Sequence, residues 1–158
     1  MKTILSILLE NESGALSRII GLFSQRDYNI ESLTVAPTDD PTISRMTIQT
    51  IGEKKVIEQI EKQLHKLIDV LKVTNMNKFI HLKKEIMLIK IHVNKKIKSE
   101  IYQNTTIFKG KIIDITLDTY IIQLSGSSNT LDTFVKLIKN TTQIIEIVRS
   151  GVIGISKK

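Results

Sequence analysis

The side chains able to do chemistry in this 158-residue chain are few and scattered. There is no Cys, which removes a thiol nucleophile, a disulfide framework and any zinc site with Cys ligands. The three His share no metal-ligand spacing: His65 falls on the polar side of a helix, His81 in a linker and His92 on a strand. No metal site is expected. Asp39-Asp40 is a carboxylate pair by sequence, but Pro37 and Pro41 flank it and the cluster reads as a turn. No G-x-G-x-x-G follows a strand. Gly110-Lys111 lacks the upstream Gly and the following hydroxyl of a phosphate loop, and no G-x-S-x-G elbow occurs. The expectation is a chain with no catalytic residues.

One segment is suited to binding. Leu8 to Leu16 (Leu-Leu-Glu-Asn-Glu-Ser-Gly-Ala-Leu) joins a first strand to a first helix. A helix start offers unpaired N–H donors and a partial positive potential. Gly14 allows a ligand close to that backbone, and the Asn11 amide supplies both a donor and an acceptor. This combination suits the carboxylate of a small amino acid. The same residues also fit an ordinary helix start with Ser13 as its N-cap.

The elements around that segment follow from periodicity. Residues 3–9 read as a buried strand, and Leu16, Ile19, Ile20 and Phe23 fall on one helical face. Asn29 to Ala36 is strand-like. Met46, Ile48 and Thr50 alternate with Arg45, Thr47 and Gln49, the mark of a second strand face. Val56, Ile57, Ile60, Leu64 and Leu67 make the apolar stripe of a second helix, with Glu58–Lys62 and Glu61–His65 as i,i+4 pairs on its wet side. Leu71 and Val73 give a short strand. The order is β-α-β-β-α-β, a ferredoxin-like pattern.

The second half repeats it. Ile86 to Val93 is a strand, Ile97 to Thr105 a short helix, and Lys111–Thr116 with Thr119–Leu124 a hairpin. A helix capped by Ser127, Ser128 or Asn129 carries Leu131, Phe134, Val135 and Ile138, and Ile144 to Val148 is the last strand before an extended tail. The expected fold class is α+β, with two ferredoxin-like βαββαβ domains in tandem, over residues 1–76 and 77–158. Each sheet carries helices on one face only, so the other face and the edge strands need cover.

Composition narrows the function classes. The chain is 41% hydrophobic and carries a formal net charge of +7. That charge splits into −1 for residues 1–74 and +8 for residues 75–158. The same strand order serves RNA-binding domains, but those need aromatic side chains on the central strands. Only 4% of residues here are aromatic, so no nucleic-acid partner is expected. The lysines at 83, 84, 95, 96, 98, 109 and 111 form either a solvated basic face or a docking face for an acidic protein surface. No apolar run approaches the ~20 residues of a membrane span, so no membrane partner is expected, and the cytoplasm is the expected location.

Glu10-Asn11-Glu12-Ser13-Gly14-Ala15-Leu16-Ser17-Arg18 resembles the start of an ACT domain. The runs Ile20 to Arg26 and Tyr28 to Val35 are similar to one family, the small regulatory subunit of acetolactate (acetohydroxyacid) synthase. Thr38–Pro41, Ser44–Thr47, Gln63–Leu67, Phe108–Asp114 and Arg149–Val152 continue the similarity through the chain.

The resemblance implies an amino-acid-binding, dimerising ACT domain in residues 1–76 and the small subunit's C-terminal domain in residues 77–158. It implies a partner, the large catalytic subunit, which carries thiamine diphosphate, Mg and FAD; no cofactor is expected on this chain. It implies activation of that subunit and feedback inhibition by valine in branched-chain amino acid biosynthesis. The valine site would lie at the interface of a homodimer formed through the ACT domains. Asn11, Gly14, Ala15 and Leu16 would line its carboxylate side, with Asn29 and Ile30 of the second protomer closing it. A free-standing amino-acid-sensing ACT protein is the alternative. One position departs from the family, which usually has Gly where this chain has Asp27. A residue just past a helix end commonly takes the left-handed conformation, so a weakened valine response is expected.

Overall fold

The first sheet is built around a central strand buried on both faces over Thr3–Ile7. In β1 (Lys2–Glu10), Leu5, Ile7 and Leu9 point to the helices and are almost fully buried. The structure, a computed structural model, describes residues 1–158. After β1 come α1 (Ala15–Gln25), β2 (Ile30–Pro37), β3 (Ile43–Ile51), α2 (Lys54–His65) and β4 (Val70–Asn75). All pairings are antiparallel and the order is β2-β3-β1-β4, the ferredoxin-like arrangement. Ile19 and Phe23 from α1, and Ile57, Ile60 and Leu64 from α2, close the core over Leu5, Ile7, Leu9, Met46 and Ile48. Burying each such side chain is worth about 1.5–3 kcal/mol.

The two expected i,i+4 pairs of α2 do not form. Glu61 instead accepts from Asn75 Nδ2 at 2.7 Å and from Lys78 Nζ at 3.2 Å. Asn75 lies opposite Leu5 on the helix-facing side of the sheet, so it reaches α2 directly. The Asp39-Asp40 cluster is a turn, in which Asp40 Oδ1 accepts the Thr42 N–H at 2.9 Å.

The opposite face of this sheet is rich in hydroxyls. Thr34, Thr47, Ser6 and Thr74 lie in one cross-strand row over all four strands. Ser6 also accepts from Arg45 Nη1 at 2.7 Å. Part of this face is covered by the end of the chain: Val152 is buried with Ile4 and Met76 in a small apolar cluster.

That docking decides the division of the molecule. The two compact units are Met1–Leu82 with Val152–Lys158, and Lys83–Gly151. The units are therefore drawn differently from the expected 1–76 and 77–158. The first keeps residues 77–82 and takes back the end of the chain.

The second unit is built from β5 (His81–His92), α3 (Lys98–Ile107), β6 (Lys111–Ile115), β7 (Thr119–Gly126), α4 (Ser128–Thr141) and β8 (Ile144–Arg149), in the order β6-β7-β5-β8. Its core joins Met87, Ile89, Ile91, Ile122 and Leu124 to Ile101, Leu131, Phe134 and Ile138. Phe108 packs edge-on against Phe134, with centroids 5.3 Å apart. Ser127 caps α4, accepting the Thr130 N–H at 3.2 Å. Arg149 donates to both carboxylate oxygens of Glu85 at 2.9 Å and to Asp132, and Ser128 Oγ donates to Glu85 at 2.7 Å.

Strand β5 starts at His81, five residues before the expected Ile86, so His81 is a strand residue rather than a linker residue. The cause is non-local. A last strand, β9 (Ile153–Ser156), pairs with β5, and the Lys157 N–H donates to Ile80 O at 2.9 Å. Lys83, Lys84, Lys95, Lys96, Lys109 and Lys111 are exposed and enter no ion pair. No helix is long and apolar enough to cross a membrane.

Candidate functional site

Helix α1 opens without a side-chain cap. Its N-cap is Gly14, at φ 84° and ψ −11°, and not Ser13 as one reading of the sequence had it. This left-handed backbone favours Gly. A Cβ built at Gly14 would lie 2.9 Å from Arg18 Nη1, so a side chain there would be strained at this backbone and would displace the end of the Arg18 side chain. With no cap, the N–H groups of Leu16 and Ser17 find no acceptor within the chain. They are the donors a carboxylate would use.

Asn11 frames the opening. Its backbone N–H donates to Thr42 O at 2.8 Å and its Nδ2 donates to Pro41 O at 2.9 Å. The side-chain donor thus ties the β1–α1 loop to the β2–β3 turn, while Oδ1 takes no hydrogen bond within the chain. Ala15 is buried against the core and fixes the first turn, whereas Leu16 is 40% exposed beside the free amides.

An ion pair braces this end of α1. Arg18 holds Asp69 through two parallel hydrogen bonds, Nε to Oδ2 and Nη2 to Oδ1, the latter at 3.0 Å. Such paired geometry is directional as well as strong. Asp69 is buried, and its backbone carbonyl accepts the Glu10 N–H at 2.8 Å. The pair therefore links the end of β1, the first turns of α1 and the entry to β4. Arg18's hydrogen bond holds the Asp69 carboxyl below its usual range, against the opposing effect of burial. Carboxylate oxygens of Glu10, Glu12 and Asp69 lie within 4.8 Å of one another, but both Asp69 oxygens are committed to Arg18. Sequence reading gave Arg18 and Asp69 no role. The available signal was an acid set between the apolar Ile68 and Val70.

Asn29 and Ile30 are not brought to this opening within one chain. They follow the C-terminal end of α1, an 11-residue helix whose length is about 16 Å. Asn29 is exposed, and its carbonyl accepts a hydrogen bond from Thr50 Oγ1. Ile30 packs partly against the core. The helix end before them is a Schellman motif: Tyr28 N–H donates to Phe23 O at 2.9 Å and Asp27 N–H to Ser24 O at 3.3 Å. Asp27 takes φ 56°, the left-handed conformation expected there. One chain thus carries two separate halves of the expected site, at opposite ends of α1.

Comparison with known proteins gives a consistent result over the whole chain. The family model described as the AHAS small subunit-like ACT domain matches residues 5–72, and the model for the small subunit of acetolactate synthase matches residues 84–158. The chain is 60% identical to the acetolactate synthase isozyme 3 small subunit of Escherichia coli K12, over 99% of this chain and 96% of that protein. It is 59% identical to the acetolactate synthase small subunit of Buchnera aphidicola subsp. Schizaphis graminum, over 99% of both chains. The crystal structure of the acetolactate synthase small subunit from Thermotoga maritima superposes with a TM-score of 0.91 at 34% identity, covering 100% of this chain and 98% of that one. With two tandem ferredoxin-like units, the first of them an ACT domain, this chain belongs to the acetolactate synthase small-subunit family.

Proposed function

We propose that this chain activates the thiamine-diphosphate-dependent large subunit of acetolactate synthase and makes it sensitive to valine. The observation that carries the valine reading is the uncapped start of α1 at Gly14 beside the free Oδ1 of Asn11. A zwitterion needs donors for its carboxylate and an acceptor for its ammonium. The Leu16 and Ser17 amides supply the first and Asn11 Oδ1 the second. Leu16 and neighbouring apolar side chains take the isopropyl group, whose burial is worth about 1.5–3 kcal/mol.

The half-site at Asn29 and Ile30 belongs to a second copy of the chain. Strand β2 begins at Ile30 and is an edge of its sheet, so a second ACT unit can pair along it. A ligand held between two chains binds one arrangement of them better than another, which is the differential affinity that regulation requires. Thiamine diphosphate, Mg and FAD belong to the large subunit in this reading, and the complex resides in the cytoplasm. The pathway is branched-chain amino acid biosynthesis.

Reconstitution tests this directly. Adding the chain to the isolated large subunit raises acetolactate formation, and valine lowers it only when the chain is present. Valine binding to the chain with no effect on the large subunit's activity would favour a free-standing sensor. Absence of both effects would overturn the reading.

A further inference from the structure

We infer that Arg18 is a ligand-binding residue of the proposed effector site, and that its guanidinium makes the site selective for a free α-carboxylate. The inference rests on the proposed valine site and adds to it a charged contact from the same chain. Arg18 stands at the end of the first turn of α1, where its backbone N–H donates to Gly14 O at 3.0 Å. Its Nε and Nη2 are taken by Asp69, and Nη1 has no acceptor within the chain. That free arm lies at the helix start. A Cβ at Gly14 would be 2.9 Å from Nη1, against 3.6 Å from Cζ and 3.7 Å from Nη2. The absence of a side chain at Gly14 is what gives Nη1 this place. The Asp69 side chain is only 4% exposed and that of Arg18 is 48% exposed, so a buried acid anchors a guanidinium that is open to solvent.

Charge explains why a cation belongs at this position. Residues 3–17 contain Glu10 and Glu12 and no Lys or Arg, so Arg18 is the first base after Lys2. The turn to which Asn11 is tied contains Asp39 and Asp40. Carboxylate oxygens of Glu10, Glu12 and Asp69 lie within 4.8 Å of one another. An anion that entered this acidic surround on amide hydrogen bonds alone would meet repulsion. Arg18 supplies the opposite charge, and a charge-assisted hydrogen bond is roughly twice as strong as a neutral one. The two bonds to Asp69 hold the planar guanidinium in one orientation, so little side-chain freedom is lost when Nη1 bonds a carboxylate oxygen. The surrounding acids favour the ammonium of the same ligand. The array fits a zwitterionic α-amino acid and discriminates against one whose carboxylate is amidated.

The test uses the full chain and two variants. Asp69→Asn keeps the guanidinium and an oxygen for it to bond. Arg18→Gln combined with Asp69→Asn replaces the ion pair by two neutral amides, so neither variant strands a buried ion. Valine, and valinamide, which lacks the carboxylate, are titrated calorimetrically into the wild type and both variants. Asp69→Asn is expected to bind valine within about threefold of the wild type. The double variant is expected to bind valine about tenfold or more weaker than Asp69→Asn does, with valinamide within about threefold. A brace with no ligand contact would change both ligands alike. Valine affinity equal in the two variants, or valine and valinamide weakened in equal measure, overturns the role of Arg18 while the valine site stands. No valine binding to the wild-type chain overturns the site, and the role of Arg18 falls with it.

Discussion

The connection from first strand to first helix uses its asparagine differently in the two units, although their topology is the same. In the second unit Asn94 turns its side chain onto the helix start: Oδ1 accepts the N–H of Lys96 at 2.9 Å and of Ile97 at 3.2 Å. The donors before α3 are used internally. In the first unit Asn11 turns its side chain away, to Pro41 O, and α1 opens at a left-handed Gly with no cap. Neither helix has a side-chain cap, and Ser99 and Glu100 of α3, like Leu16 and Ser17 of α1, have amides with no acceptor within the chain. The starts differ in the N-cap backbone, left-handed at Gly14 and at φ −106° at Ile97, and in the Asn Oδ1, free at Asn11 and used at Asn94. The proposed binding site thus rests on the loop conformation and not on the shared fold.

The ion pairs extend the contrast. Both units hold a nearly buried carboxylate with an arginine, Asp69 with Arg18 and Glu85 with Arg149. The first pair braces the open helix start, whereas the second ties β5 and β8 to the start of α4 through Ser128.

The largest expected effect separates these roles. Glu85→Ala leaves Arg149 and Ser128 without their main partner and should destabilise the chain by about 3 kcal/mol in chemical denaturation. Valine affinity should be unaltered. The same pairs set an acid limit. Arg149 lowers the carboxyl pKa of Glu85, and Arg18 that of Asp69. A depressed folded-state pKa gives stability that is present above the unfolded value and lost as pH falls through the folded one. Unfolding monitored against pH should therefore show stability falling below about pH 4, with a shallower fall in Asp69→Asn.

The second test sets the two asparagines against each other. Asn11→Ala should weaken valine binding about tenfold, the effect of losing one charge-assisted hydrogen bond. Asn94→Ala should remove a helix-start partner, lowering stability by about 1 kcal/mol, and leave valine affinity alone. Equal effects on valine affinity would erase the distinction between the loops.

The smallest effect concerns the far end of α1. Asp27 holds φ 56°, which Gly takes more readily. Asp27→Gly should add about 1 kcal/mol of stability and tighten valine binding. Equal affinities in calorimetry would show that Asp27 does not set the response.

What the sequence disclosed and what it concealed divide by sequence separation. The strand alternation at Met46, Ile48 and Thr50, the stripe of α2 and the left-handed position at residue 27 are local patterns, and each appears where periodicity or helix-end geometry put it. Gly14 and Asn11 were visible as a strand-to-helix junction. The orientation of Asn11 toward Pro41, which leaves its Oδ1 without a partner in the chain, was not. Arg18–Asp69 joins residues 51 apart and Val152–Ser32 residues 120 apart, so no period or spacing marks either. The early start of β5 was hidden for the same reason, because its partner β9 lies at the other end of the chain.

The central claim is that the open helix start at Gly14 holds the carboxylate of valine. Calorimetric titration of valine into the wild-type chain and into Gly14→Ala tests it most directly. The substitution strains a left-handed backbone position and places a Cβ 2.9 Å from Arg18 Nη1, which must move from its place beside the opening. Saturable binding to the wild type, weakened about tenfold or more in Gly14→Ala, is the predicted result. Equal affinity in the two chains, or no binding to the wild type, would contradict the account.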